Sequence, residues 1–402
     1  MSDKLLALSN YRQKDFNGSF SNIRKIADID RTTNDNIIIN KTYFKERVDL
    51  SDSSTSFGTT LVFTIQRAQG NIGNLAFSAT FAGSSTVGCL TMANVIENVE
   101  INIGNQIYQY SGLSLMQYIA TVNTDVTVLG YLATLIGDVT TTTASGQLYI
   151  PLLGPGSDCV INNYGSMGYQ TGFPLHKCNS DMVIKITIRA ASSIESTTAL
   201  TVSGYTLSYD RYRIKGSDEK ENVNFIGKSG IFYSLNTVHI SDQDYTISST
   251  SGAVDQQDLS NICENGELKW IGFQSCVDGS YITAVTPFTS QAIAKWELDI
   301  AGSNKIVDFS TVLDYDMYSL RNFRKTSIFP QTGTRYYNIA LQGNFSHMVE
   351  NFMAPGINLN SQSPLLKLTS IATDTNKLHV MGVYKANIDI YNDGTVRRNL
   401  VY

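Results

Sequence analysis

Apolar and polar residues alternate with a period of two along much of this chain. Over residues 99–103 the apolar side chains fall on one face and the polar side chains on the other, and residues 184–189 and 205–211 repeat the pattern. Alternation of this kind is typical of β-strands that bury one face. The pattern therefore predicts antiparallel sheets, each with one side covered.

Helical periodicity is confined to a few short segments. In residues 112–122, four apolar residues beginning at Leu115 follow the spacing i, i+3, i+4, i+7, which predicts a short helix packed on a sheet. Residues 126–136 form a second candidate helix, interrupted by Gly130. Helices are thus expected to be minor additions to a β-rich fold.

The order of these elements occurs twice. Residues 98–107 form an alternating strand that runs into a glycine turn and is followed by the first candidate helix. Residues 295–306 repeat that order and are followed by a candidate helix at 313–323, so Trp296 lies 197 positions (296 − 99) after Val99. Internal duplication of this kind predicts that the two halves share a fold.

Length and composition divide the chain into two domains. A chain of 402 residues suits two domains of about 150 to 200 residues, and a charged run at 213–222 separates the two β-rich halves. Tandem sandwiches fit better than a propeller, whose blades repeat at about 40 to 45 residues. The prediction is an all-β fold of two tandem eight-stranded jelly rolls, a double jelly roll, with a few short helices. Its parts are an N-terminal arm (1–35), a first jelly roll (36–212), a linker (213–226) and a second jelly roll (227–402).

Several segments resemble those of one known family. A strand with an Ile-Gly turn at 99–107 is followed by an amphipathic helix at 113–122, and two Pro-Leu segments follow at 150–152 and 173–175. An alternating strand, a turn and a short last strand occupy 379–402. In this order the chain resembles the double jelly-roll major capsid proteins of tailless bacterial viruses, large eukaryotic DNA viruses and virophages.

The resemblance implies a structural role in a virion. The expected unit is a homotrimer of about 133 kDa, from three chains of 44.2 kDa, that forms a pseudo-hexagonal capsomer of an icosahedral shell. Its expected partners are neighbouring capsomers and minor capsid or vertex proteins, after synthesis in the host cytoplasm. The N-terminal arm, Arg397 and Arg398 are candidates for contact with an inner membrane or the packaged genome. No enzymatic activity, catalytic residue, cofactor or metal is expected.

Composition agrees with a protein that buries large surfaces. Charged residues make up 16% of the chain, below the roughly 25% of ordinary soluble proteins, and 22 residues are tyrosine. A net charge of −5 argues against a surface that coats nucleic acid. Two basic clusters, at 321–325 and 396–398, are either solvated surface or faces turned toward genome or acidic lipid.

Motifs for metal binding and catalysis are lacking in the sequence. The four histidines (His176, His239, His347 and His379) include no HxH pair of the kind that metal-binding jelly rolls use. The acidic segment 28–36 lacks the central glycine of a calcium loop and is interpreted as a polar turn. No GxSxG, GxGxxG or GxxxxGK[ST] motif is present.

The remaining candidate residues have ordinary structural interpretations. The acidic pairs Asp242 with Asp244 and Asp314 with Asp316 are interpreted as charges in loops or at sheet edges. The cysteines are expected to be free, mostly buried thiols, since the chain has an odd number of them and no CxxC pair. They are Cys89, Cys159, Cys178, Cys263 and Cys276.

Two other functions are compatible with a β-sandwich sequence. An adhesin or glycan-binding module would stack aromatic residues on sugars, but it predicts a secretion signal, and the first apolar run is too short for one. A carbohydrate-active enzyme would need paired carboxylates in a cleft.

Overall fold

Eighteen β-strands and four α-helices make up most of the structure described for this chain. The structure is a computed structural model. It describes residues 43–82, 91–123, 126–137, 146–157, 159, 173–194, 201–214, 231–248, 250, 252–277, 293–300, 304–323, 336–341, 356–360, 362, 364–370, 376–391 and 393–400.

The first barrel consists of two facing antiparallel sheets. One sheet has the strand order β1-β9-β3-β6, with the short β7 also paired to β3, and the other has the order β2-β8-β4-β5. Alternate residues of each strand point into the space between the sheets. The strands are β1 (Tyr43–Asp52), β2 (Thr60–Ile65), β3 (Asn71–Ala82), β4 (Ile96–Ile103), β5 (Gln106–Ser111), β6 (Gly146–Pro151), β7 (Phe173–Pro174), β8 (Met182–Ile188) and β9 (Thr201–Ile214).

The second barrel repeats the first strand for strand. Its sheets have the orders β10-β17-β12-β15 and β11-β16-β13-β14, and β18 adds to β17. If β7 and β18 are set aside, each barrel joins its strands 1-8-3-6 in one sheet and 2-7-4-5 in the other, which is jelly-roll topology. The strands are β10 (Ile231–Ile247), β11 (Val254–Asp258), β12 (Leu268–Val277), β13 (Ile293–Ile300), β14 (Asn304–Phe309), β15 (Tyr337–Ala340), β16 (Leu365–Ser370), β17 (Asn376–Tyr391) and β18 (Val396–Leu400).

The duplicated all-β fold predicted from the sequence is therefore confirmed. In each barrel, the face of the 1-8-3-6 sheet that is turned away from its own barrel core is called here the outer face.

Two of the helices occupy the same place in their barrels. The helices are α1 (Met92–Val95), α2 (Gly112–Val122), α3 (Val126–Ile136) and α4 (Val312–Phe323). Helix α2 follows the fifth strand of the first barrel, and α4 follows the fifth strand of the second. The predicted helices are confirmed, and Gly130 does not break α3.

Side-chain caps determine where α2 and α4 begin. The Ser111 hydroxyl accepts a hydrogen bond from the backbone N–H of Ser114 at 3.1 Å, and the Thr311 hydroxyl accepts one from Asp314 at the same distance. Caps of this kind satisfy backbone donors that the first helical turn leaves open. Asp314 also places an acidic side chain in the first turn of α4, where the helix dipole favours it.

Each barrel has an aromatic core. Phe77 stacks on Tyr205 in the first barrel, with 5.9 Å between ring centroids. In the second barrel, Trp296 makes edge contacts with Phe273 at 5.0 Å and Tyr315 at 5.1 Å. These cores bury the faces that the period-two pattern marks as apolar.

The proposed domain boundaries stay predictions. Strand β9 ends at Ile214 and β10 begins at Ile231, on either side of the charged run. The arm at 1–35, most of the linker at 213–226 and the acidic segment at 28–36 lie outside the described residues.

Candidate functional site at the joint between the barrels

Helix α2 lies between the two barrels, and all eleven of its residues are buried. The Gln117 amide nitrogen donates to the Tyr337 carbonyl at 3.2 Å and to Asn338 Oδ1 at 2.9 Å. Asn338 Nδ2 in turn donates to the Thr121 hydroxyl at 3.2 Å. Beneath Gln117 lies Gly272, where an added Cβ would lie only 2.6 Å from the Gln117 amide nitrogen. The helix therefore docks on the outer face of the second barrel. We call this contact the joint.

A buried histidine joins the N-terminus of α2 to the edge strand β10. His379 Nδ1 lies 2.7 Å from Asp244 Oδ1, and His379 Nε2 lies 2.7 Å from the Ser114 hydroxyl. The Ser114 hydroxyl lies 2.6 Å from Asp242 Oδ2 and must donate there, because a carboxylate only accepts. The His379 ring therefore bridges Asp244 on one side and the Ser114–Asp242 pair on the other.

The charge on Asp244 follows from this arrangement. Burial alone raises the pKa of Asp244, but hydrogen bonds and charges from His379 and Lys377 outweigh it and lower the pKa from 3.8 to about 2. Asp244 and His379 are also direct partners across the β10–β17 ladder. The cluster is therefore an ion-pair network that ties one barrel to the other.

Serine, histidine and aspartate occur here in the order used by serine hydrolases, but the chemistry differs. A hydrolase needs a neutral histidine that removes the proton of an accessible serine. Ser114 is fully buried and already donates to Asp242, and His379 is only 3% exposed. The arrangement thus lacks an activated nucleophile and a place for substrate.

A second ionic cluster lies at the other side of the joint. The Arg398 guanidinium donates to the Ile107 carbonyl at 3.0 Å and to His239 Nδ1 at 2.7 Å, and it lies 5.4 Å from the centroid of the Tyr108 ring. Since Arg398 only donates, His239 Nδ1 accepts, and its Nε2–H donates to Glu264 at 2.6 Å. Arg398 therefore connects the first barrel, through Ile107, to the second barrel, through His239.

Its neighbour Arg397 has a different environment. Arg397 is exposed and lies over the Tyr391 ring at 5.3 Å from the centroid. The two arginines, which were expected to share one role, therefore differ, and of the two only Arg397 faces outward.

The outer faces of the two 1-8-3-6 sheets differ in polarity. In the second barrel this face carries Val238, Ile240, Trp270, Met381 and Val383, all buried in one cluster with the core of the first barrel. It is the face that receives α2.

In the first barrel the corresponding face is polar. In β1, Val48 and Leu50 point into the core, so their sequence neighbours Arg47 and Asp49 point outward. In β3, Phe77 and Ala79 point into the core, so Ser78 points outward. The outer face of the first barrel carries Arg47, Asp49, Ser78, Tyr149 and Asp210.

Helix α4 exposes the apolar side chains that follow the helical repeat on one face. Leu313 is 70% exposed, Met317 48% and Leu320 46%, whereas Tyr315 and Phe323 on the opposite face are buried. The three positions follow the spacing i, i+4, i+7 and form one stripe along the helix. We call these three residues the α4 stripe.

The acidic pairs of the sequence analysis lie in regular elements. Asp242 and Asp244 are on the edge strand β10, as expected, and Asp242 contacts the first barrel. The interpretation of Asp314 and Asp316 as loop charges is wrong, because both lie in α4. Charge patterns cannot reveal such placement, since the residues joined in the network are 128 to 265 positions apart.

Three of the cysteines are buried thiols. Cys159, Cys178 and Cys263 are buried thiols that form no disulfide, as predicted, and burial raises the pKa of Cys178 and Cys263 to about 12. Within the part of the chain that the structure describes, no three His, Cys, Asp or Glu residues cluster as metal ligands would. None of the described helices is both long and apolar enough to cross a bilayer.

Comparison with known proteins links this fold to virus shells. No protein-family model matches the sequence, and no curated protein matches it either. Among solved structures, the chain is similar to a chain of the PBCV-1 virus capsid, with a TM-score of 0.65, 12% identity, and coverage of 90% of this chain and 97% of that one.

Two virophage structures are similar as well. A chain in the structure of the Sputnik virophage gives a TM-score of 0.55 at 10% identity, over 89% of this chain and 88% of that one. The mavirus major capsid protein gives 0.52 at 12% identity, over 90% of each chain. Likeness at such low identity establishes a shared fold, the double jelly roll, over nearly the whole chain.

Proposed function

We propose that this chain is the major capsid protein of an icosahedral virus, a structural subunit and not an enzyme. The observation that carries the proposal is the strand-for-strand duplication of a jelly roll within one chain, with the two copies locked by a buried joint. The fold shared with the PBCV-1 virus capsid and the mavirus major capsid protein supports it.

The mechanism is geometric. Two similar barrels side by side supply one third of a six-barrel ring, so three chains close a pseudo-hexagonal capsomer of about 133 kDa from subunits of 44.2 kDa. A near-hexagonal tile packs edge to edge in a lattice. The buried joint keeps the angle between the two barrels constant, because Gln117, Asn338 and His379 make direct hydrogen bonds there and its apolar groups are close-packed.

The partners follow from this role. Neighbouring capsomers contact the sides of the trimer, and minor capsid or vertex proteins complete the shell in the virion after synthesis in the host cytoplasm. The N-terminal arm, together with the exposed Arg397, is the candidate contact with an inner membrane or the genome. Arg398, which the sequence analysis grouped with Arg397, serves the joint instead.

The alternative, a β-sandwich adhesin or glycan-binding module, has weaker support. Trp296, Tyr315 and Phe77 are large aromatic side chains of the kind that sugar stacking would use, and they are buried in the two barrel cores.

Light scattering combined with negative-stain imaging tests the proposal. Purified protein is expected to form particles of about 133 kDa with a hexagonal outline. A monomer of 44.2 kDa that gives no hexagonal particles at high concentration refutes the capsomer.

A further inference from the structure

His239 lies at the joint between a positive and a negative side chain. Its Nδ1 lies 2.7 Å from Arg398 Nη1, and its Nε2 lies 2.6 Å from Glu264 Oε1. The His239 side chain is only 8% exposed, so water has little access to either ring nitrogen. We call His239, Arg398 and Glu264 the His239 cluster.

The contact between His239 and Arg398 requires a neutral imidazole ring. A guanidinium only donates hydrogen bonds, and it stays charged at every pH at which proteins fold. His239 Nδ1 therefore accepts with its lone pair, and the single proton of the neutral ring is on Nε2, which donates to Glu264. A second proton would occupy Nδ1, so that two N–H groups and two positive charges would face each other.

Glu264 responds to this second proton in the opposite way. The His239 Nε2–H donates to the Glu264 carboxylate whether the ring is neutral or charged, and a charged ring makes the stronger hydrogen bond. Burial raises the pKa of Glu264, but the hydrogen bond and charge of His239 and the charge of Arg398 outweigh burial and lower it. Glu264 thus stays ionised while a histidine titrates, and it holds the ring in place as Arg398 is repelled.

Three ionisable side chains beside the His239 cluster are uncharged at neutral and mildly acidic pH. Tyr384 is the partner of His239 across the β10–β17 ladder, with 6.1 Å between the ring centroids, and Tyr108 lies under Arg398. Burial raises the pKa of both tyrosines above their ordinary value of 10.0, and it raises the pKa of Cys263, next to Glu264, to about 12.

Charged residues on the strands around His239 belong to other faces or other contacts. Adjacent residues of a strand point to opposite faces, so a residue at an odd number of positions from His239, Tyr384 or Arg398 lies on the other face of its strand. These residues are Asp242 and Asp244 on β10, Lys377, His379, Lys385 and Asp389 on β17, and Arg397 on β18. At the start of β12, Lys269 bonds to Glu267 at 2.6 Å. Among the described residues, the charges that face His239 are thus those of Arg398 and Glu264.

We propose that the contact between His239 and Arg398 is a pH-sensitive switch at the joint. As the pH falls through the range in which histidines take up a second proton, about pH 8 to 5, His239 keeps Glu264 and releases Arg398. Arg398 connects the first barrel, through Ile107, to the second barrel, through His239. Acid therefore removes one of the contacts between the two barrels. The switch is a property of a single chain, so it does not depend on the proposed capsomer.

Removal of Arg398 at two pH values tests the proposal. In urea unfolding of the full chain, Arg398→Ala is expected to raise the unfolding equilibrium constant at least about fivefold more at about pH 7.5 than at about pH 5, which corresponds to one net hydrogen bond. In acid the variant loses only the contacts of Arg398 with Ile107 and Tyr108, which do not titrate there.

His239→Gln identifies the titrating group. A glutamine side chain accepts with its amide oxygen and donates with its amide nitrogen, but it takes up no proton. In this background, Arg398→Ala is expected to have the same effect at both pH values. The matched control is His176→Gln, the same change at a half-buried histidine of the first barrel outside the His239 cluster, and it is expected to leave the fivefold difference in place.

The outcomes separate this switch from the proposed function. If Arg398→Ala has the same effect at both pH values in the otherwise wild-type chain, or if the difference survives in His239→Gln, the proposal is overturned. A monomer in light scattering refutes the capsomer and leaves the result at His239 unchanged.

Hydrogen exchange of the wild-type chain tests the switch even if a variant fails to fold. After correction for the intrinsic pH dependence of exchange, the amides of β18 and β5 are expected to lose protection in acid, whereas those of β4 and β8 keep it. The Arg398 backbone N–H, which donates to Gln106 Oε1 at 3.1 Å, is the most direct reporter. Equal protection of β18 and β5 at the two pH values overturns the proposal.

Discussion

Replacement of Gly272 by alanine is expected to weaken the joint selectively. A Cβ at this position would lie 2.6 Å from the Gln117 amide nitrogen, 3.0 Å from its Cδ and 2.9 Å from the Trp270 ring. Gln117 is fully buried and bonded to Tyr337 and Asn338, so it cannot move aside without losing those bonds.

The expected loss can be worked out from these contacts. Leaving buried polar groups without partners costs about 1–3 kcal/mol each, and Gly272→Ala disturbs the amide of Gln117 and Asn338 Oδ1. Alanine in a strand is more stabilising than glycine by roughly 0.5–1 kcal/mol, and this gain offsets part of the loss. The net destabilisation is therefore expected at about 1–5 kcal/mol.

Gly204→Ala is the matched control, because no heavy atom lies within 4 Å of a Cβ added there. Gly204 belongs to β9, so it also tests alanine in a strand. This change is expected to leave stability unchanged or to raise it by up to about 1 kcal/mol.

The two tryptophans of the chain make the assay local. Trp270 lies at the joint and Trp296 in the core of the second barrel, so the variants Trp296→Phe and Trp270→Phe each leave one reporter. In urea unfolding followed by fluorescence, Gly272→Ala is expected to lower the midpoint reported by Trp270 more than that reported by Trp296.

Equal midpoints for Gly272→Ala and Gly204→Ala would refute this account of the joint. The double variant Gln117→Ala, Gly272→Ala provides a second check. Its destabilisation is expected to fall short of the sum of the single changes by at least about 1 kcal/mol, since residues in contact are not additive.

Three further outcomes follow from the charged and thiol groups. Because the pKa of Asp244 is lowered from 3.8 to about 2, its contribution to stability is present above pH 3.8 and disappears as the pH falls toward 2. The plot of melting temperature against pH, between pH 5 and 2, should therefore be flatter for Asp244→Asn than for the wild type. An unchanged slope contradicts the ion-pair network. Arg398→Ala is expected to cost about 1–3 kcal/mol and Arg397→Ala less than about 0.5 kcal/mol in urea unfolding, an order that would be reversed or lost if Arg398 were a surface residue. The Cys263 thiol, with its pKa raised to about 12 by burial, should react with a disulfide reagent only after unfolding, and rapid labelling of the native protein would show that this thiol is accessible.

The repeated features of this fold could be predicted from the sequence. Period-two alternation identified strands such as β4 and β8 because one face of each is buried and the other is not. The repeat of strand, turn and helix predicted the duplication, since local patterns survive when loops change length. Helix α4 followed from its position in that repeat despite its charged residues.

The joint could not be predicted in this way. His379 and Ser114 are 265 positions apart and become neighbours only when the barrels dock. Arg397 and Arg398 are adjacent in sequence, yet a strand sends them to opposite sides, so one is exposed and the other binds His239. Likewise, an apolar stripe on a helix predicts burial but does not say whether its own chain or another copy covers it.

The difference in polarity between the two outer faces has a consequence for how each face behaves in water. The face rich in Trp270, Met381 and Val383 is covered by the other domain of the same chain. Linked domains typically meet at millimolar effective concentrations, so this face is buried without an encounter between two molecules. The face bearing Arg47 and Asp49 is hydrophilic, and a hydrophilic surface can meet water without causing aggregation. Joining two barrels in one polypeptide thus makes the contact between them independent of dilution.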